Sequence, residues 1–297
     1  MVAVTGLALP ARAGARARLA APAAAAAPLV AAAAFALLYW RPALTLVRDW
    51  WSDPNAGHGL LLGPVALWLA WRAGVVPRPA PRHRAGIALL TLAVAMRWLS
   101  GLAAELFTMR LSLLLAAAAL VVFAWGWGQL KRWWLPAGLL LLCIPLPAVV
   151  TASLALPLQF KASALGAAML EWRGIPVRLA GNVISLPGRS LFVTEACSGL
   201  RSLAALLAIA LLTGGLWLRT AGARAVLLAA ALPVAVVLNG VRVFLTGFLV
   251  VFVDPRLGDG FMHLTEGWLI YLAALGILAL MASGLTRVER RLAPVPA

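Results

Sequence analysis

Three polar groupings interrupt an otherwise apolar chain, and their residue types can do chemistry. They are Glu195-Ala196-Cys197-Ser198-Gly199-Leu200-Arg201, Asn239-Gly240-Val241-Arg242 and His263-Leu264-Thr265-Glu266. Cys197 stands four residues before Arg201, at the start of an apolar run from Leu200 to Leu218. On a helix that spacing puts the two on one face. A neighbouring cation and a helix N-terminus both favour thiolate, the nucleophilic form. His263 has the chemistry of a base that takes the thiol proton, or of an acid that returns one to a leaving amine. Arg242 offers a fixed cation to the oxyanion that forms when a thiolate attacks a carbonyl. Asn239, one turn earlier, is suited to orienting that guanidinium or a substrate. Together they make a Cys–His–Arg acyl-transfer site, with Glu195 and Glu266 as acidic partners for Arg201 or Arg242.

Each residue also has a plainer reading. A cysteine or histidine at the edge of a span is often structural or interfacial, and a long arginine side chain can snorkel to the surface. Arg242 is the hardest to dismiss, because a charge embedded in an apolar span is expensive and usually functional. His58, Cys197 and His263 include no close ligand pair of the kind zinc sites use, so no metal and no cofactor is expected.

The elements that would position these residues follow from composition. The 297 residues are 64% hydrophobic and 11% charged, where a soluble domain carries about a quarter charged residues. Long unalternating apolar runs mean an all-α polytopic membrane protein rather than a barrel. The net charge of +16 then reads as basic loops that set topology, with no nucleic-acid partner. Cys143 lies inside an apolar run and Cys197 at the edge of another, so no disulfide between them is expected.

About eight spans are expected, near residues 23–40, 60–76, 86–103, 111–127, 135–156, 198–218, 225–252 and 265–285. Residues 1–22 form a basic cytoplasmic lead, 23–286 a single transmembrane domain and 287–297 a cytoplasmic tail. Ile144-Pro145-Leu146-Pro147 should kink or end the fifth span. Residues 158–193 make an extracytoplasmic insert, an interfacial helix followed by a hairpin around Gly181-Asn182 and Pro187-Gly188.

Charge orients the spans. With both termini inside, 13 of the 25 lysines and arginines but only Glu289 of the nine acids fall on the cytoplasmic side. His58, Cys197 and His263 then emerge at the outer face. Arg242 follows Arg224 by 18 residues, roughly 27 Å along a helix and near the far side of a hydrocarbon core about 30 Å thick. Three helices would deliver polar groups to one level.

Residues Glu195 to Ser202, Asn239-x-x-Arg242 and His263 resemble the exosortase/archaeosortase family. The Gly57-His58-Gly59 turn, Ile144-Pro145-Leu146-Pro147 and the hairpin-like stretch before the cysteine extend the likeness to about residues 31–285. The resemblance implies a membrane cysteine transpeptidase in which Cys197, Arg242 and His263 are catalytic and Arg201 supports them, with Asn239, Glu195 and His58 as candidate substrate-binding or supporting groups. His263 implies the bacterial branch, in the cytoplasmic membrane. Implied partners are C-terminal sorting tails of secreted proteins, each with a Pro-Glu-Pro-type motif, a transmembrane helix and a basic cluster. Such a tail is cut outside the membrane and passed to an acyl acceptor that the sequence does not name. Oligomeric state is equally silent. The rival from another class is a polytopic component of exopolysaccharide polymerisation or export without peptidase activity. A pure scaffold is disfavoured by Arg242.

Overall fold

The computed structural model describes residues 13–53, 55–193, 200–254 and 261–292, and only the backbone of 13–28, 189, 200, 201 and 261–268. The chain forms two compact units, Met1–Thr45 and Leu46–Ala297. The first holds most of helix α1 (Ala13–Ser52), which starts ahead of the expected Ala23. One turn apart on it, the rings of Phe35 and Tyr39 lie 5.1 Å apart.

The second unit runs α2 (Gly59–Ala73), α3 (His83–Leu102), α4 (Leu106–Trp125), α5 (Trp127–Arg132), α6 (Trp134–Leu142) and α7 (Ala148–Trp172). Three strands follow, β1 (Arg178–Ala180), β2 (Val183–Leu186) and β3 (Arg189–Phe192), and then α8 (Leu200–Trp217), α9 (Ala221–Phe252) and α10 (Phe261–Leu292). Six of the described helices are long and apolar enough to cross a membrane, and two shorter apolar ones, Gly59–Ala73 and Ser202–Trp217, accompany them. Length and composition therefore support about six spans, and the two shorter helices fall at the second and sixth of the eight expected.

The fifth expected span, 135–156, is not one helix. Helix α6 stops at Leu142 and α7 starts at Ala148, because Pro145 and Pro147 lack the N–H a continuing helix needs and restrict the residues before them. Helix α7 then continues to Trp172 and absorbs the stretch expected to be a separate interfacial helix.

Two packing arrangements position the later helices. Gly138 and Gly215 face Leu211 and Leu135, so α6 and α8 run antiparallel. Gly166 meets Val243, Gly240 meets Leu165 and Gly247 meets Leu170; a Cβ at any of the three glycines would come within 2.8 Å of its neighbour. Residue numbers rise together along that contact, so α7 and α9 are parallel and drawn close by small residues, as is usual where helices pack in lipid. Helices α8, α9 and α10 enclose a core of Leu206, Leu218, Leu227, Ala235, Ala274 and Leu278.

The expected hairpin is a three-stranded antiparallel meander, β1-β2-β3, with Leu179 opposite Ile184 and Ile184 opposite Leu191. It has a core of its own: Ile184 and Leu186 pack with Leu170 of α7, with Ile175 just beyond that helix, and with Val243, Phe244 and Phe248 of α9. Helix α9, with 32 residues, is about 48 Å long. That exceeds the roughly 30 Å hydrocarbon core, and Val243, Phe244 and Phe248 in its C-terminal third carry the meander.

Candidate active site

Helix α9 is continuous from Ala221 to Phe252, so Arg224 and Arg242 do ride one rod. Asn239 and Arg242 share a face of it with Ala235, at the three- and four-residue intervals that align side chains. Asn239 is buried at 6% exposure and Arg242 half-buried. The Arg242 carbonyl accepts a hydrogen bond from Thr246 Oγ1 at 3.0 Å. Both side chains line a small pocket between α8, α9 and α10 that also receives Ser202, Leu206, Ile270 and Tyr271. Its volume is about 20 Å³, room for about one water molecule. Four polar side chains around so small a space make a polar locus inside an apolar three-helix core. Ser202 and Tyr271 were not anticipated. The available signal was spacing: Tyr271 stands two turns after His263 in α10, and Ser202 next to Arg201.

The remaining expected site residues divide by what the structure describes. Glu195 and Cys197 fall in 194–199, outside the described residues, as do the side chains of Arg201 and His263. Their backbones lie in the first turns of α8 and α10, the helices that bring Ser202 and Tyr271 to the Arg242 pocket. The approach to 194–199 is defined on its other flank. Asn182 Nδ2 donates to Gln159 Oε1 at 3.2 Å and to the Val193 carbonyl at 3.1 Å, while Val193 N donates to Asn182 O at 2.9 Å. Val193 is thus held through both of its backbone groups on the meander side, and Leu200 begins α8 on the other.

His58 has a defined partner of another kind. Its Nε2 lies 3.1 Å from the Leu142 carbonyl, and since a carbonyl only accepts, that nitrogen carries the proton. Trp50 Nε1 donates to the next carbonyl, Cys143 O, at 2.8 Å. The Pro-interrupted end of α6 leaves carbonyls that no following turn can satisfy, and these two side chains supply the missing donors. The glycines around His58 explain themselves here: a Cβ on Gly59 would sit 2.3 Å from Trp50 Nε1, and one on Gly63 2.9 Å from the same ring. An ion pair between the buried Arg110 and the half-buried Asp49, Nη2 to Oδ2 at 2.7 Å, ties the end of α1 to α4 beside this cluster.

The same break opens a larger cleft of about 590 Å³. Asp53, Asn55, His58 and Thr151 give it polar groups, Ile144 and Leu154 an apolar wall, and Leu203 and Leu207 of α8 its far side. The pocket around Arg242 is far smaller. The cleft lies on another face of α8, against its first two turns.

Fold and site define a polytopic helical membrane protein that keeps a guanidinium and a carboxamide inside its closing three-helix bundle. Residues 50–280 match the family described as Transmembrane exosortase (Exosortase_EpsH), and the chain belongs to that family. It is accordingly a transmembrane protein of the protein-sorting class. No curated protein and no solved structure matches it.

Proposed function

We propose that the chain is a membrane cysteine transpeptidase that cleaves the sorting tails of secreted proteins at the outer membrane face. Cys197 attacks the scissile carbonyl as thiolate, Arg242 donates hydrogen bonds to the resulting oxyanion, and His263 protonates the departing amine. The thioester so formed passes the acyl group to an acceptor. The observation that carries this reading is Arg242 at the pocket with Asn239, Ser202 and Tyr271, between the two helices whose first turns follow Cys197 and contain His263. A charge in that setting is retained for function more often than for stability. The cleft at the α6–α7 break, open along the first turns of α8, is the entry that fits a substrate segment.

The test is a tagged substrate tail co-expressed with Cys197→Ala. The variant should insert at the normal level and leave the tail uncut. Normal processing at equal expression ends the nucleophile assignment.

A second reading is favoured by a specific observation: among the described residues, which do not include the side chains of Cys197 and His263, no three His, Cys, Asp or Glu side chains converge. A polytopic component of exopolysaccharide polymerisation or export, without peptidase activity, asks for no such cluster. The described side chains fit that reading with fewer assumptions, while membership in the exosortase family favours the first. If Cys197→Ala leaves tail processing intact and exopolysaccharide secretion depends on the chain all the same, the second reading stands.

A further inference from the structure

At the end of the α8–α9–α10 bundle opposite Arg242 lies a cleft of about 460 Å³, lined by Leu216 and Trp217 of α8 and by Ser283, Thr286, Arg287 and Arg290 of α10. The four α10 residues fall on one helical face at three- and four-residue spacing, so two hydroxyls are followed by two guanidiniums along its wall. From these residues we infer a binding site for the headgroup of an anionic phospholipid. Nothing in the peptidase reading uses it, and it stands or falls independently.

Charge is the first argument. The nearest acid, Glu289, is already engaged: its carboxylate accepts from Arg219 N at 3.0 Å, Thr220 N at 2.8 Å and Thr220 Oγ1 at 2.6 Å, capping the start of α9. Arg224, the other nearby cation, donates to the Leu218 carbonyl at 2.8 Å and stacks on Trp134 at 4.7 Å. Arg287 and Arg290 have no such partner among the described residues. Both are exposed beside the cleft, and the C-terminal end of α10 is where a helix tolerates cations best.

Location is the second argument. Trp217 and Leu216 are exposed at 50% and 57% at the end of an apolar helix, the depth at which tryptophan marks the headgroup region. Apolar contacts below and guanidiniums above match a lipid, with acyl chains against Leu216 and a phosphate between Arg287 and Arg290. The hydroxyls of Ser283 and Thr286 donate to the carbonyls of Ala279 and Ala282 at 2.8 Å each. Their oxygens stay able to accept from a glycerol or amine headgroup.

The experiment uses the full chain in phosphatidylcholine nanodiscs, with phosphatidylglycerol titrated in and binding read by native mass spectrometry. Arg287→Gln/Arg290→Gln should weaken phosphatidylglycerol retention roughly tenfold or more, since each basic residue near a membrane surface contributes about 1 kcal/mol. The matched double variant Arg78→Gln/Arg84→Gln removes the same charge from another turn and should change retention less than twofold. Glycerol phosphate added to the phosphatidylglycerol-containing discs should not compete, because it lacks the acyl chains. Equal losses in both double variants, or none in either, would overturn the site, and competition by glycerol phosphate would reassign it to a soluble phosphate.

Discussion

Arg242 shows why a side chain inside an apolar bundle cannot be judged by charge alone. It lines one small pocket with Asn239 of its own helix and with Ser202 and Tyr271 of the facing helices, so the half-buried cation stands in a polar locus rather than in lipid. If that place is where an oxyanion forms, the planar fork of arginine matters as much as its charge, because it can hold a partner and the developing negative oxygen together. Arg242→Lys keeps the charge and loses the fork. It should insert and fold normally but lower the tail-cleavage rate about 10²- to 10³-fold, the loss typical of removing one oxyanion donor. A single-turnover assay on purified protein measures this. A lysine variant with near-native rate would reduce Arg242 to an electrostatic anchor.

At the scale of elements, the broken α6–α7 rod is the feature around which the first part of the chain is arranged. Its free carbonyls at Leu142 and Cys143 are met by His58 and Trp50, and the close approach of α2 to the Trp50 ring depends on Gly59 and Gly63. Gly59→Ala puts a methyl group into a rigid indole. The ring must move off Cys143 O, and overpacking of this kind costs about 1–3 kcal/mol. We expect a lower thermal midpoint in detergent, together with a shifted tryptophan spectrum. An unchanged midpoint would mean that the ring has a second seat. The break itself was legible in the sequence, because proline acts locally. The partner of His58 was not: it is a carbonyl 84 residues away, and no local pattern points to a backbone oxygen. Asn239 and Arg242 were legible as polar residues in apolar surroundings, whereas Ser202 and Tyr271 look ordinary until three helices are packed together. The expected spans at 60–76 and 198–218 fall on the two shorter apolar helices, α2 and α8, which length alone leaves outside the six.

For the whole molecule, orientation decides whether the Arg242 pocket can meet a secreted substrate. Helix α9 carries Arg224 near one end and Arg242 18 residues later, and Glu289 of α10 caps the Thr220 end, so the pocket and the Glu289 cap lie toward opposite ends of the bundle. Basic residues concentrate toward the Glu289 end, in the turns at Arg78, Lys131 and Arg219 and in the tail at Arg287. Such an excess is held on the cytoplasmic side during insertion, which would leave the meander and the pocket outside. Single cysteines report this directly in a Cys197→Ala background, because Cys143 is buried. Pro187→Cys, at the exposed β2–β3 turn, should react with an impermeant maleimide on intact spheroplasts. Leu292→Cys, 77% exposed at the end of α10, should react only after permeabilisation. The reverse pattern would put the pocket on the cytoplasmic side, where a secreted tail is never presented, and would remove the peptidase reading whatever the chemistry of Cys197.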